Sequence, residues 1–252
     1  MMHLRVLPIS LPPISRETIG SYLHRLADAN HITSSAITQL LGISRRYRRG
    51  DDDPTGWTPQ SLTALAILTG RPGTALTHAL PGLRPLTSLD TEPTAPTTST
   101  TPCVACQHCT ASKGIPGIVI QRAANHELLC LRHQRWLHGP EQHALHALPE
   151  IRTANRRHRR LRRRHDDTTL NTALAHARNL IRDWLDADDQ RHLQQRWTQR
   201  LNQLRHDPAA DPYRPSHYRI ELATYPETVL LTGLVVSPRW RTIPLPHAEA
   251  ER

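Results

Sequence analysis

The 252-residue sequence has no phenylalanine, a single lysine (Lys113), and no apolar run approaching the roughly 20 residues that a membrane-spanning helix needs. Met1–Pro13 lacks the basic start and small-residue cleavage site of a secretory signal, so the expected location is cytoplasmic, with no membrane partner. Apolar residues make up 37 % of the chain, below the usual soluble share of about 45–50 %. That is enough for small helical cores of Leu, Ile, Val, Ala and the five Trp, and too little for a large sheet enzyme.

What is abundant is arginine. The formal net charge is +10 and the isoelectric point is near 10.4, carried almost wholly by guanidinium groups. Arginine makes forked hydrogen bonds to phosphate and stays charged at any working pH, which suits nucleic acid, although a bias for Arg over Lys also follows base composition. Clustering is more informative than the total. Arg152–His165 has no acidic residue and contains Arg156, Arg157, Arg159, Arg160, Arg162, Arg163 and Arg164. So many like charges repel one another unless something screens them, so these seven are the expected nucleic-acid contacts. Arg45, Arg46, Arg48 and Arg49 form a weaker candidate, because Asp51–Asp53 follow at once and can pair with them locally.

Helical periodicity dominates the rest. Ser15 reads as the cap of a helix reaching about Asn30, with Ile19, Tyr22, Leu23, Leu26 and Ala27 on one face. A second helix is expected over Ser34–Leu41, ended by Gly42. Thr58-Pro59 opens a third, which Gly70 stops, and Thr74–Leu80 a fourth. Short helices joined by Gly-containing turns are compatible with a helix-turn-helix unit and equally with a plain bundle. Thr87–Pro102 reads as a linker. After the arginine run, Asp167 is the expected cap of a helix with Leu170, Leu174, Ala177, Ile181 and Trp184 in its stripe; Leu193, Trp197, Leu201 and Leu204 mark the next. Tyr225-Pro226-Glu227 reads as the start of a short apolar helix to about Val236. The expected fold is therefore mainly α, with an N-terminal helical, helix-turn-helix-like domain over 1–86. The linker over 87–102, a zinc ribbon over 103–148, and an Arg-rich segment with a helical bundle over 149–252 complete it.

All four cysteines lie within 28 residues of one another. Cys103-Val-Ala-Cys106 and Cys130-Leu-Arg-His133 are two pairs with one spacing, and a tetrahedral Zn²⁺ takes four such N or S ligands from two tight knuckles. These four are the expected ligands of one structural Zn²⁺. Cys109 can replace Cys103 as the partner of Cys106, and His126 or His138 can replace His133. Ile115–Ile120 reads as a short strand pair between the knuckles. Four protein ligands leave no position for a catalytic water, and Glu127, the one nearby carboxylate, has no spacing that suggests a metal-assisted base, so a zinc hydrolase is disfavoured.

The opening Pro12-Pro13-Ile14-Ser15-Arg16-Glu17, followed by Ser21-Tyr22-Leu23-His24-Arg25-Leu26-Ala27, together with the downstream Cys and His pairs, resembles the TniQ family of bacterial transposition accessory proteins. The resemblance spans about the first 140 residues. It implies a helical, non-enzymatic adaptor with helix-turn-helix elements around zinc ribbons. Such an adaptor links a target-recognition element, either a DNA site or a guide-RNA complex, to an AAA+ ATPase that recruits the transposase. It also implies Cys103, Cys106, Cys130 and His133 as ligands, with Trp136 in the apolar stretch that follows. No second cysteine pair follows His133, so a second zinc is not expected. The alternative function is a free-standing, zinc-containing helix-turn-helix regulator acting on a promoter. Self-association as a homodimer is compatible with either reading and required by neither.

Overall fold

The computed structural model describes residues 4–86, 100–139, 141–185, 187–204 and 216–237. Most of the expected linker, residues 87–99, lies outside them. The described residues are mainly helical, with nine α-helices and two small two-stranded sheets. The chain divides into two compact units, Met1–Ala124 with Leu137–Gln142, and Asn125–Trp136 with His143–Arg252.

In the first unit, α1 (Ile19–Ala29) is capped by Thr18, whose hydroxyl accepts from the Ser21 amide at 3.2 Å. The cap is thus Thr18 and not Ser15. Ser15–Glu17 is committed to a turn in which Arg16 takes a left-handed φ of 64°, and Glu17 bridges to Gln121. The Glu17 carboxylate is fully buried and turns back along α1: it accepts from Ser21 Oγ at 2.9 Å and from Arg25 Nε and Nη2 at 2.8 and 2.7 Å. Arg25 also donates to the Pro12 carbonyl, and the Tyr22 hydroxyl to the Leu11 carbonyl. The acidic, Ser-aromatic and Arg positions of the opening motif therefore form one internal network that staples the proline segment to α1.

Helix α2 (Ser34–Leu40) begins at Thr33 and ends before Gly42 at φ 71°. Helix α3 (Pro59–Thr69) has Thr58 as cap, Pro59 in the first turn and Gly70 in the left-handed region, and α4 (Gly73–Ala79) follows after three residues. Their apolar faces, with Ile43, Tyr47 and Trp57 from the intervening loop, close one core around Tyr22, Leu23, Leu26, Leu65, Leu76 and Leu80. Gly20 is required where it stands: a Cβ there would lie 1.8 Å from the Arg48 carbonyl oxygen, so only glycine lets the Arg48–Asp51 turn reach α1, where the Gly20 amide donates to Asp51 O.

Strands β1 (Thr100–Val104) and β2 (Ile120–Ala124) pair antiparallel, with Cys103 opposite Gln121. Two expectations are corrected here. Thr100–Pro102 belongs to a strand, not the linker, since threonine favours the pleated backbone once a partner is present. The partner begins only at Ile120, and 115–119 carries no strand, because Pro116 and the left-handed Gly117 break the extended run. A five-residue helix, α5 (Gln107–Ala111), lies between them.

In the second unit, β3 (Leu129–Cys130) and β4 (Arg135–Trp136) form a short hairpin with Cys130 opposite Arg135. Helices α6 (Pro149–Arg164), α7 (Asp167–Leu185), α8 (Arg191–Gln203) and α9 (His217–Val235) make a bundle in which α9 touches the other three. The arginine run is the body of α6. Asp166, not Asp167, caps α7, accepting from the Thr169 amide at 2.8 Å; Asp167 instead pairs with Arg162. Helix α9 starts eight residues before Tyr225 and carries Pro226 inside. An internal proline costs a helix about 3 kcal/mol, whereas burying one Val or Leu side chain stabilises by about 1.5–3 kcal/mol, so burial of Leu222, Ala223, Tyr225 and Val229 outweighs it. Arg200 of α8 locks the bundle, donating to both oxygens of Glu227 at 2.6 and 2.9 Å and to Glu150 at 3.1 Å.

Candidate metal centre and arginine surface

Two short turns present the side chains that could hold a metal ion. Cys106 is the cap residue of α5 and Cys109 lies one turn on, so Cys106-Gln-His-Cys109 is a helical knuckle. Cys130 closes β3, and His133 lies in the turn to β4, whose Gln134 takes a left-handed φ of 48°. The ligand atoms of Cys106, Cys109, Cys130 and His133 all lie within 4.8 Å of one another. Cys130 Sγ is 3.8 Å from His133 Nδ1. With Zn–S about 2.3 Å and Zn–N about 2.0–2.1 Å, a tetrahedral site has S···N edges of roughly 3.6 Å, so these side chains fit a single ion. No disulfide links the four cysteines.

The first pair differs from the leading expectation. Cys106 is joined by Cys109, the alternative noted from sequence, while Cys103 stands buried on β1 outside the group. Both candidate pairs have the same spacing, so spacing alone does not separate them. The discriminating signal is local: Thr100-Thr-Pro-Cys-Val104 has a strand's composition, and a helical turn over 106–109 brings residues three apart to one face. His126 and His138 are likewise outside the group. His126 lies edge-on to His158 instead.

The two arginine clusters behave oppositely. Arg45 is paired with Asp53, whose carboxyl the Thr55 hydroxyl and amide, and then Arg45, hold down at about 2. Arg49 meets Asp28 at 2.8 Å, while Arg46 and Arg48 are exposed. On α6, Arg162 is half-buried and paired with Asp167. Arg156, Arg157, Arg159, Arg160, Arg163 and Arg164 are exposed, and none has an ion-pair partner among the described residues. The buried face of α6 is made by Ile151, Ala154, Asn155 and His158. His158 Nδ1 is 2.9 Å from the Tyr225 hydroxyl, and burial, with His126 alongside, holds its pKa down to about 4. Its imidazole is therefore neutral and structural at neutral pH, and the positive charge of α6 is all on its outer faces.

The TniQ family model matches residues 8–137, from the proline segment through the Cys/His cluster. The chain belongs to the TniQ family. Members of that family are generally non-catalytic accessory proteins of transposition, and the match covers the Glu17–Ser21–Arg25 network and all four clustered ligands. It ends before α6, so the arginine helix lies beyond the matched region. No curated protein and no solved structure matches the chain. Among the described residues, no helix is long and apolar enough to cross a membrane.

Proposed function

We propose that this TniQ protein is a non-enzymatic cytoplasmic adaptor in DNA transposition that holds nucleic acid through α6 and passes target recognition to an AAA+ ATPase and its transposase. The observation that carries the reading is the division of the chain. A TniQ match ends at residue 137, and directly beyond it stands a helix with six exposed arginines lacking carboxylate partners among the described residues. Arg156, Arg159 and Arg163, which share one flank of the helix, contact phosphates, while Arg157, Arg160 and Arg164 add positive field. Arg162 contributes field rather than a direct contact, because Asp167 already occupies it. Arg46 and Arg48 are a separate and weaker candidate contact, since Arg45 and Arg49 are taken by Asp53 and Asp28.

One structural Zn²⁺, bound by Cys106, Cys109, Cys130 and His133, supports this role. Three thiolates and a neutral imidazole satisfy a borderline-soft ion that needs no open position for water. The ion closes the chain between Cys109 and Cys130 and fixes both knuckles, a folding contribution and not a catalytic one.

Affinity co-purification of the tagged protein from its host after nuclease treatment tests the adaptor reading. Retention of an AAA+ ATPase or a transposase is expected. A protein that comes away alone and still recognises one duplex sequence would instead assign it to promoter regulation.

A further inference from the structure

The six exposed arginines of α6 fall into two rows. At 100° per residue, Arg156, Arg159 and Arg163 share one flank, while Arg157, Arg160 and Arg164 share another about 100° away. The second row does not face open solvent alone. With Leu161 it forms one wall of a groove of about 780 Å³ whose other wall is α9, with Leu230, and its cap residue Val236. Leu230 is 46 % exposed, a large apolar side chain left uncovered at the groove. The groove reaches from Glu150 to His165, about 22 Å along α6 at 1.5 Å per residue, or four helical turns. At Gly233 a Cβ would meet Arg157 Nη2 at 3.3 Å, so the guanidinium lies close against α9 there. Glu150, the acidic residue at one end, already accepts from Arg200.

We propose that this α6/α9 groove docks an acidic, amphipathic helix of a partner protein. Leucine-type side chains at helical spacing would cover Leu230 and the half-buried Leu161, and carboxylates on the flank of the same helix would pair with Arg157, Arg160 and Arg164. Charge complementarity selects this occupant. An apolar floor between a row of cations and a bare helix face is the arrangement that receives a helix in a groove. A phosphate backbone gains nothing from an exposed leucine. Arg156, Arg159 and Arg163 line no such groove and remain the row for phosphate. The proposal stands apart from the nucleic-acid reading, and the two fail separately.

The test uses the full-length protein in fluorescence polarisation with three labelled probes. These are a designed 16-residue peptide with leucines at i, i+4, i+7 and i+11 and glutamates on the adjoining flank, a scrambled peptide of the same composition, and a 16-base-pair duplex. Leu230→Glu and Arg160→Glu alter exposed side chains, so the fold is retained, with melting by circular dichroism as the control. The amphipathic peptide should bind at least tenfold more tightly than the scramble. Either substitution should remove that margin while changing duplex affinity less than threefold. Arg156→Glu/Arg159→Glu/Arg163→Glu should do the reverse. A peptide no tighter than its scramble overturns the proposal. So does an equal loss of peptide and duplex binding from both rows, which would make the groove part of one undivided nucleic-acid surface. Unchanged duplex binding in the triple variant would overturn the nucleic-acid reading and leave the groove standing.

Discussion

The region covered by the family match and the helix beyond it use the same charged residues to opposite ends. Within residues 8–137, polar groups are consumed internally: Arg25 by Glu17, Arg45 by Asp53, Arg49 by Asp28, and Cys106, Cys109, Cys130 and His133 by one another's proximity. On α6, six guanidinium groups are directed outward without carboxylate partners among the described residues. The number of arginines is no guide to which of them meets a partner; what each one already touches decides it. Substitutions in the first region should therefore cost stability, and those on α6 should cost binding.

The largest effect should come from the metal. Cys109→Ser should lose the bound zinc, read by elemental analysis of the purified protein, and melt far below the wild type, because structural zinc contributes folding energy directly. Cys103→Ser should keep one equivalent of zinc. Zinc retained in the first variant and lost in the second would restore Cys103 to the ligand set.

Arg25→Ala comes next. It leaves the Glu17 carboxylate fully buried and without its countercharge, which costs about 3–5 kcal/mol, measurable by urea unfolding. Arg25→Ala/Glu17→Gln should recover much of that loss, since the strain lies in the orphaned charge.

The bundle holds its own internal group, and it gives a pH signature. His158 has a folded pKa near 4 against an ordinary 6.5, so between these values the unfolded chain takes up the proton and the folded one does not. Its contribution to stability is complete above about pH 6.5 and is lost as pH falls towards 4, a change on the order of 3 kcal/mol for a shift of this size. His158→Gln should flatten that limb of the stability profile. A limb of unchanged steepness would locate the titrating group elsewhere.

The smallest stability effects belong to exposed pairs and unpaired charges. Arg49→Ala should leave the unfolding midpoint where it is, because its ion pair with Asp28 is solvent-screened.

Much of this arrangement was legible in the sequence where local chemistry and tertiary packing agree. Thr58-Pro59 and Gly70 bracket α3 as capping rules require, and the Leu170, Leu174, Ala177 and Ile181 stripe of α7 is buried as its period indicates. Local signals misled where a distant partner outweighed them. Ser15 is a good cap, but the Glu17 carboxylate draws the chain into a turn and passes the cap to Thr18. Pro226 looks like a helix start, yet packing of α9 against three helices carries the helix through it. At the metal centre, the second knuckle could be read from spacing alone. The first could not, because Cys103, Cys106 and Cys109 repeat one interval, and only the strand pairing of Cys103 with Gln121 removes it from the turn. The arginine run was visible as composition, but its division into a grooved row and an open row needed α9 in place.

The central claim, that the exposed arginines of α6 hold nucleic acid, is tested most directly by the salt dependence of duplex binding. Three phosphate contacts predict a log–log slope of about −2.7, an affinity that falls roughly 40-fold between 50 and 200 mM salt, and Arg156→Gln/Arg159→Gln/Arg163→Gln should remove most of that slope with no change in melting temperature. A slope the triple variant leaves unchanged, or wild-type binding indifferent to salt, would contradict it.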